Sequence, residues 1–246
     1  MNILQTLRPT LCLTLGAILP FLGACSATKR ADVVPIVESE APAEGPLALD
    51  IDNHRGSVTV VVNPKLKGPQ ITAVVRERGT KSSERWAAAS MANDAGRPVL
   101  RVLSSPPESG PAPHVDIVIK VPTCAGIRVR SDDGQITLRG VGGAIDAQTS
   151  IGGHSPTAIL VTTNTPLHDP VLLHAQRGGI ELRMAQSSAG QLRAEAPAGG
   201  VEVDAATADL RDVRFTRQTW TGTLNAGTSD MRLTADDGDI LVLVGR

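Results

Sequence analysis

Aromatic side chains are almost missing from this chain: two Trp, two Phe and no Tyr stand among 246 residues. Sugar-binding faces and single-strand nucleic-acid platforms are built from stacked rings, so the scarcity argues against both classes. Bulk charge is missing too. Lys and Arg number 24 against 25 Asp and Glu, and the formal net charge of −1 leaves no electrostatic footprint for nucleic acid or an anionic membrane surface. Cysteine is scarce as well: Cys12 and Cys25 lie in an N-terminal apolar stretch, and Cys124 stands alone beyond it. No intramolecular disulfide is expected, and Cys124 reads as a small packed residue. There is no Gly-x-Ser-x-Gly elbow, no His-Glu-x-x-His pair and no Gly-rich phosphate loop, so nucleophilic and nucleotide chemistry have no visible seat and no cofactor is expected.

What is present begins at the N-terminus. Arg8 is the only charged side chain among the first ten residues, Leu11 to Leu22 form an apolar core, and Leu22-Gly23-Ala24-Cys25 closes it. The core is too short to span a bilayer. The tetrad resembles a bacterial lipobox at the end of a signal peptide over 1–25. That resemblance implies cleavage before Cys25 and fatty acylation of its sulfur and amine, for example with palmitate. The mature chain is then expected as a membrane-anchored lipoprotein of the bacterial cell envelope, periplasmic or at the cell surface, with the membrane as one partner. Two or three acyl chains at roughly 0.8 kcal/mol per buried methylene make such anchoring essentially permanent.

Removing 25 residues leaves 221, enough for one all-β domain or two small ones. Residues 26–46 carry three prolines and little periodicity, and read as an extended tether. From Leu47 the chain alternates aliphatic and polar residues with period two, the signature of strands. Residues 47–124 read as an irregular β region with strands near 47–53, 57–63, 70–78, 98–104 and 115–121. Its insert Ser82 to Met91 is rich in alanine and reads as a short Ser-capped helix anchored by Trp86.

Residues 125–246 repeat. With Gly134, Gly178, Gly199, Gly222 and Gly238 taken as turn centres, the positions seven before and two and four after are all apolar, as in Ile127, Ile136 and Leu138 or Met231, Ile240 and Val242. A further unit centred on Pro156 places Thr149, Ile151, Ala158 and Leu160 at the same offsets, and Gly56 opens the template earlier. The period is near 22 residues, whereas hairpin strands recur every 8 to 12. The expected fold is therefore all-β, a single-stranded β-solenoid or β-helix-like repeat in which each rung buries its apolar positions on its neighbours. The opening Asp52-Asn53-His54-Arg55-Gly56-Ser57-Val58, the run Val115 to Pro122 and the repeated Gly-x-Ile/Val-x-Leu/Val rungs resemble the bacterial DUF4097-type, adhesin-like β-strand repeat proteins. The resemblance covers about 47–246 and implies a stacked β fold at the envelope with no catalytic residues to carry over. The stretch 152–170 departs from the pattern.

Register decides the remaining candidates. Asp132-Asp133 and Asp236-Asp237 fall five rungs apart, about 24 Å at 4.8 Å per strand, and read as turns. Asp236, Asp237 and Asp239 lack the repeated ligand spacing of calcium solenoids. His154, His168 and His174 occupy different offsets, so no metal site is expected. Glu181 and Glu202 share an offset on neighbouring rungs and would stack about 4.8 Å apart on an outward face. They are the weak catalytic candidates for an alternative reading, a polysaccharide lyase or hydrolase. The preferred reading is a non-catalytic scaffold of structural or adhesive role. Its C-terminal strand, Ile240 to Val244, ends the sequence two residues later and is expected to lie open to an envelope partner or a second copy.

Overall fold

The computed structural model describes residues 28–34, 36–38, 46–77, 86–104, 114–151, 156–205 and 207–245. Among them the alternation of β-branched and polar residues produces twenty strands and no helix. In the first half these are β1 (Thr28–Val33), β2 (Ile36–Glu38), β3 (Ala48–Asn53), β4 (Val58–Val62), β5 (Gln70–Glu77), β6 (Ala87–Asp94), β7 (Arg97–Ser104), β8 (His114–Val121), β9 (Gly126–Asp133) and β10 (Ile136–Arg139). The second half adds β11 (Ala144–Ile151), β12 (Thr157–Thr162), β13 (Val171–Arg177), β14 (Gly179–Met184), β15 (Gly190–Glu195), β16 (Val201–Asp204), β17 (Leu210–Phe215), β18 (Thr219–Leu224), β19 (Asp230–Asp237) and β20 (Ile240–Val244).

The strands form two large mixed sheets over one core. Sheet A has nine strands in the order β1-β5-β8-β4-β10-β12-β14-β20-β16, and sheet B eleven in the order β17-β18-β15-β19-β13-β11-β9-β3-β7-β6-β2. From β9 to β16 the chain changes sheet after every strand. Side chains that point between the sheets are aliphatic: Ile127, Val129, Ile136, Leu138, Val171, Leu173, Ile180, Leu182, Met231, Leu233, Ile240 and Val242 are all buried. Each such side chain stabilises the fold by about 1.5–3 kcal/mol.

The turns are packed as tightly as the core. Asp133 is followed by Gly134, where a Cβ would run into the carbonyl of Gly56 in the neighbouring layer; Gly56, at φ +115, meets the Val115 backbone in the same way. Polar side chains inside the sheets bind these turns. Asn53, fully buried, donates through Nδ2 to Gly56 O (2.7 Å) and Val115 O (3.1 Å), and its Oδ1 accepts from Ser104 Oγ (2.6 Å). One layer on, Thr149 Oγ1 donates to Gly134 O at 3.0 Å. Buried carbonyls that would cost about 1–3 kcal/mol each if unpaired are thereby satisfied.

Several expectations are corrected. Thr28–Val33, placed in the tether, pairs antiparallel with β5, and Ile36–Glu38 pairs in parallel with β6. Of the stretch Ser82 to Met91 expected as a helix, residues 82–85 lie outside the described residues and the part from Ala87 belongs to strand β6, because antiparallel pairing with β7 along its whole length outweighs the helix propensity of alanine. Gly222 is not a turn: it lies within β18, which forms an antiparallel hairpin with β17 through Thr216-Arg217-Gln218. A register shift between Thr157 and Ile159 places Ile159 and Val161 in the core instead of Leu160, with Ala158 buried beside them. The intervals between turns are uneven, so a strict 22-residue period is not kept. Most consequentially, the C-terminal strand is not open. β19 and β20 insert between earlier strands, with β20 paired in parallel to β14 on one side and β16 on the other.

The shifted register is directly testable. Ile159→Asp should lower stability by several kcal/mol, since an unpaired charge would sit in the core, while Leu160→Asp on the outer side should cost less than about 1 kcal/mol. Urea midpoints that are equal for the two variants would contradict the assigned register.

Candidate functional site

The outward faces carry the charged residues. On sheet B, Arg101, Asp50, Arg128 and Asp146 stand opposite one another on β7, β3, β9 and β11, so the signs alternate from strand to strand. Arg130 grips the Asp146 carboxylate with both guanidinium nitrogens, at 3.0 and 2.6 Å, and Arg128 reaches Asp50 at 3.7 Å. Further along, His54 Nδ1 meets Asp132 Oδ2 at 2.8 Å and His174 Nε2 meets Asp236 Oδ2 at 3.2 Å. These contacts are solvent-facing and contribute up to about 1 kcal/mol each. They fix side-chain direction more than they stabilise the fold.

The acidic candidates are separated. Glu181 and Glu202 both pair with Leu241, one from β14 and one from β16, so the inserted β20 stands between them and doubles their expected spacing to about 9.6 Å. Glu181 is held by Arg183 on its own strand. The two Asp-Asp turns come closer than expected. With β9, β11, β13 and β19 adjacent, Asp133 and Asp237 lie three strand spacings apart, about 14 Å, still outside the 6.5–9.5 Å that two cooperating carboxyl groups need. His168 and His174 lie on different elements, and the His168 carbonyl accepts a hydrogen bond from Ser229 Oγ. Among the described residues no three His, Cys, Asp or Glu side chains gather as metal ligands. Cys25, with Leu22, Gly23 and Ala24, and also His154 lie outside the described residues.

Two depressions stand out among the described residues. One of about 310 Å³ lies over the turns at Gly178 and Gly238, lined by Glu181, Asp237, Asp239 and Leu241. Its Asp239 carboxylate already accepts the Gly200 N–H at 2.7 Å, and Glu202 does not reach it. The other, about 550 Å³, lies among His168, Gln186, Ser187, Ala189, Thr207 and Asn225. Asn225 Nδ2 there donates to the carbonyls of Gln186 and Ser188, and Gln186 Nε2 to that of Thr207, so its amides serve the backbone.

The feature that sequence reasoning missed is the end of the stack. Every residue of β17 is exposed, including Leu210, Val213 and Phe215, the last at 74%. The only signal for it was the Thr-Arg-Gln turn, whose residues carry no glycine or proline to mark it.

No protein-family model matches the sequence, and no curated protein sequence does either. The structure is similar to that of a putative cell adhesion protein from Clostridium sporogenes ATCC 15579, with a TM-score of 0.61 and 10% sequence identity, over 89% of this chain and 99% of that one. At that identity the likeness is one of fold. Among the described residues no helix is long and apolar enough to cross a membrane.

Cys124 offers a chemical check on the packing. Burial pushes its thiol above the ordinary value, with hydrogen bonding to the Gly126 and Gly142 backbone pulling weakly the other way. The folded thiol therefore holds its proton while the unfolded one ionises near pH 8.5, and the unfolded state gains as pH rises through that value. Relative to Cys124→Ser, the wild type should lose thermal stability above about pH 8.5 and show no pH-dependent difference below about pH 7.5. Alkylation of the folded thiol should also be slower than in urea.

Proposed function

We propose that this chain is a lipid-anchored, non-catalytic protein of the bacterial envelope, of the DUF4097-type adhesin-like class, whose stacked β scaffold serves adhesion or assembly. The observation that carries the reading is the match in fold, over nearly the full length of both chains, to a protein described as a putative cell adhesion protein. Parallel strands that alternate between two sheets support a coil of stacked layers as the underlying repeat. Glu181 lines the depression over the Gly178 and Gly238 turns and Glu202 does not, so the two carboxylates do not converge on one cleft, which speaks against the carbohydrate-active alternative.

The topology gives this scaffold a direction. β1 and β2, the first described strands after Cys25, are the end strands of sheets A and B, and β16 and β17 are the opposite ends. Anchored through Cys25, the molecule would hold its β17–β18 hairpin about nine strand spacings, on the order of 40 Å, beyond its membrane-proximal layer. Acylation requires the Cys25 thiol. Cys25→Ala should abolish metabolic labelling with palmitate and move the protein out of the membrane fraction or leave it uncleaved. Retained labelling in that variant ends the lipoprotein reading, and polysaccharide cleavage lost on Glu181→Gln or Glu202→Gln would restore the enzyme reading.

A further inference from the structure

The two sheets end out of step. They run together as far as β15 and β16, and sheet B then continues by two strands, β18 and β17, for which sheet A has no counterpart. The core-facing side of this overhang is apolar. Phe215 pairs with buried Trp220 and Leu210 with buried Leu224, and cross-strand partners project to the same side, so Phe215 and Leu210 point where sheet A is missing. Val213 lies over Gly222 beside the Trp220 ring. Next to the overhang, β16 is the last strand of sheet A. The hairpin turn reaches back to the start of this strand, Val201 N–H donating to Arg217 O at 2.9 Å.

We propose that a second copy of this chain occupies the gap, in a two-fold dimer whose axis runs along the strand direction. That operation sets the sheet B of each copy in line with the sheet A of the other, so the two strands that each sheet A lacks are those by which the partner's sheet B is too long. It brings β16 against β17 of the partner subunit. Because β17 runs with β15, and β15 runs opposite to β16 across their turn, this contact is an antiparallel pair. The two hairpins then face each other, with Leu210, Val213, Phe215 and Trp220 of both copies forming a continuation of the core. The charges agree: β16 turns Glu202 and Asp204 outward, and the outward side of β17 carries Arg214 together with Arg211, which Asp209 of the same chain holds at 2.7 Å. A two-fold axis perpendicular to the sheets would instead join β17 to β17, set base beside base, and leave both apolar faces uncovered. The interface is isologous and closed, and for two six-residue hairpin faces plus two strand pairs it buries on the order of 1,000 Å² in total, the lower end for specific association.

The test is the mass of the full-length protein in detergent by light scattering across a wide concentration range. The wild type should pass from monomer to dimer as concentration rises. Phe215→Asp, at a site exposed in the monomer and therefore harmless to folding, should weaken association at least tenfold with an unchanged melting temperature. Arg214→Glu should weaken it as well, and Arg214→Glu combined with Glu202→Arg and Asp204→Arg should restore it. A wild type that stays monomeric, a dimer indifferent to Phe215→Asp, or a charge exchange that fails to restore association overturns the proposal. So does a monomer that crosslinks through residue 215 to a different envelope protein, which would assign the surface to a foreign partner.

Discussion

Layers of backbone spaced by one hydrogen bond leave no room for a side chain where the chain turns between sheets, and the rest of this structure depends on that constraint. Neighbouring strands sit about 4.8 Å apart, so turns that fall at the same height must touch backbone to backbone. Gly134 meets Gly56 and Gly238 meets Gly178 at those points, and neither pair could accept a Cβ. Once the turns coincide, the inward positions coincide too. A run of Ile, Leu and Val from successive strands then stacks into a core that needs few aromatic rings, since the gap to be filled is narrow and repeats at every layer.

The same constraint explains the buried polar residues. A turn that meets another turn hides its carbonyl from water, and the inside position nearest the turn supplies the donor: Asn53 for Gly56 and Val115, Thr149 for Gly134. Where β13 and β19 reach the corresponding position, Ala175 and Ala235 stand there, paired with each other and buried. The outward faces are free of this demand. They carry ion pairs along and between strands that solvent weakens, and Arg130 holds Asp146 through two hydrogen bonds.

Much of the fold could be read from the sequence because period-two alternation and turn glycines are local signals. The units at Gly56, Gly134, Gly178 and Gly238 have the inward residues that their spacing demands. What could not be read was set by partners distant in sequence. An alanine-rich segment became β6 because β7 offered it a ladder. One residue of bulge at Ala158 moved Ile159 and Val161 inward, although Leu160 fits an ideal repeat equally well. The Gly222 unit matched the apolar template through Phe215 and Leu224, but those residues face each other's strands within a hairpin in one sheet, not in two sheets across a turn. Strand order itself has no local signature, so the wedge of β19 and β20 was hidden, and with it the true positions of Glu181, Glu202 and the paired aspartates.

That wedge also sets an order of events. β16 is complete at Asp204, yet the strand it pairs with in sheet A begins only at Ile240. A chain that emerges N-terminus first can lay down the layers through β13 and β14 as they appear, and must then keep the open edge of β14 unpaired while the next strands are made. At about 5–20 residues per second the stretch from Met184 to Val244 takes roughly 3–12 s, during which β14 presents Ile180, Leu182 and Met184 beside an unsatisfied backbone edge. The last strand is therefore a keystone in the mason's sense: earlier pieces stand ready on both sides, and the arch closes only when the final five residues of sheet A slide between them.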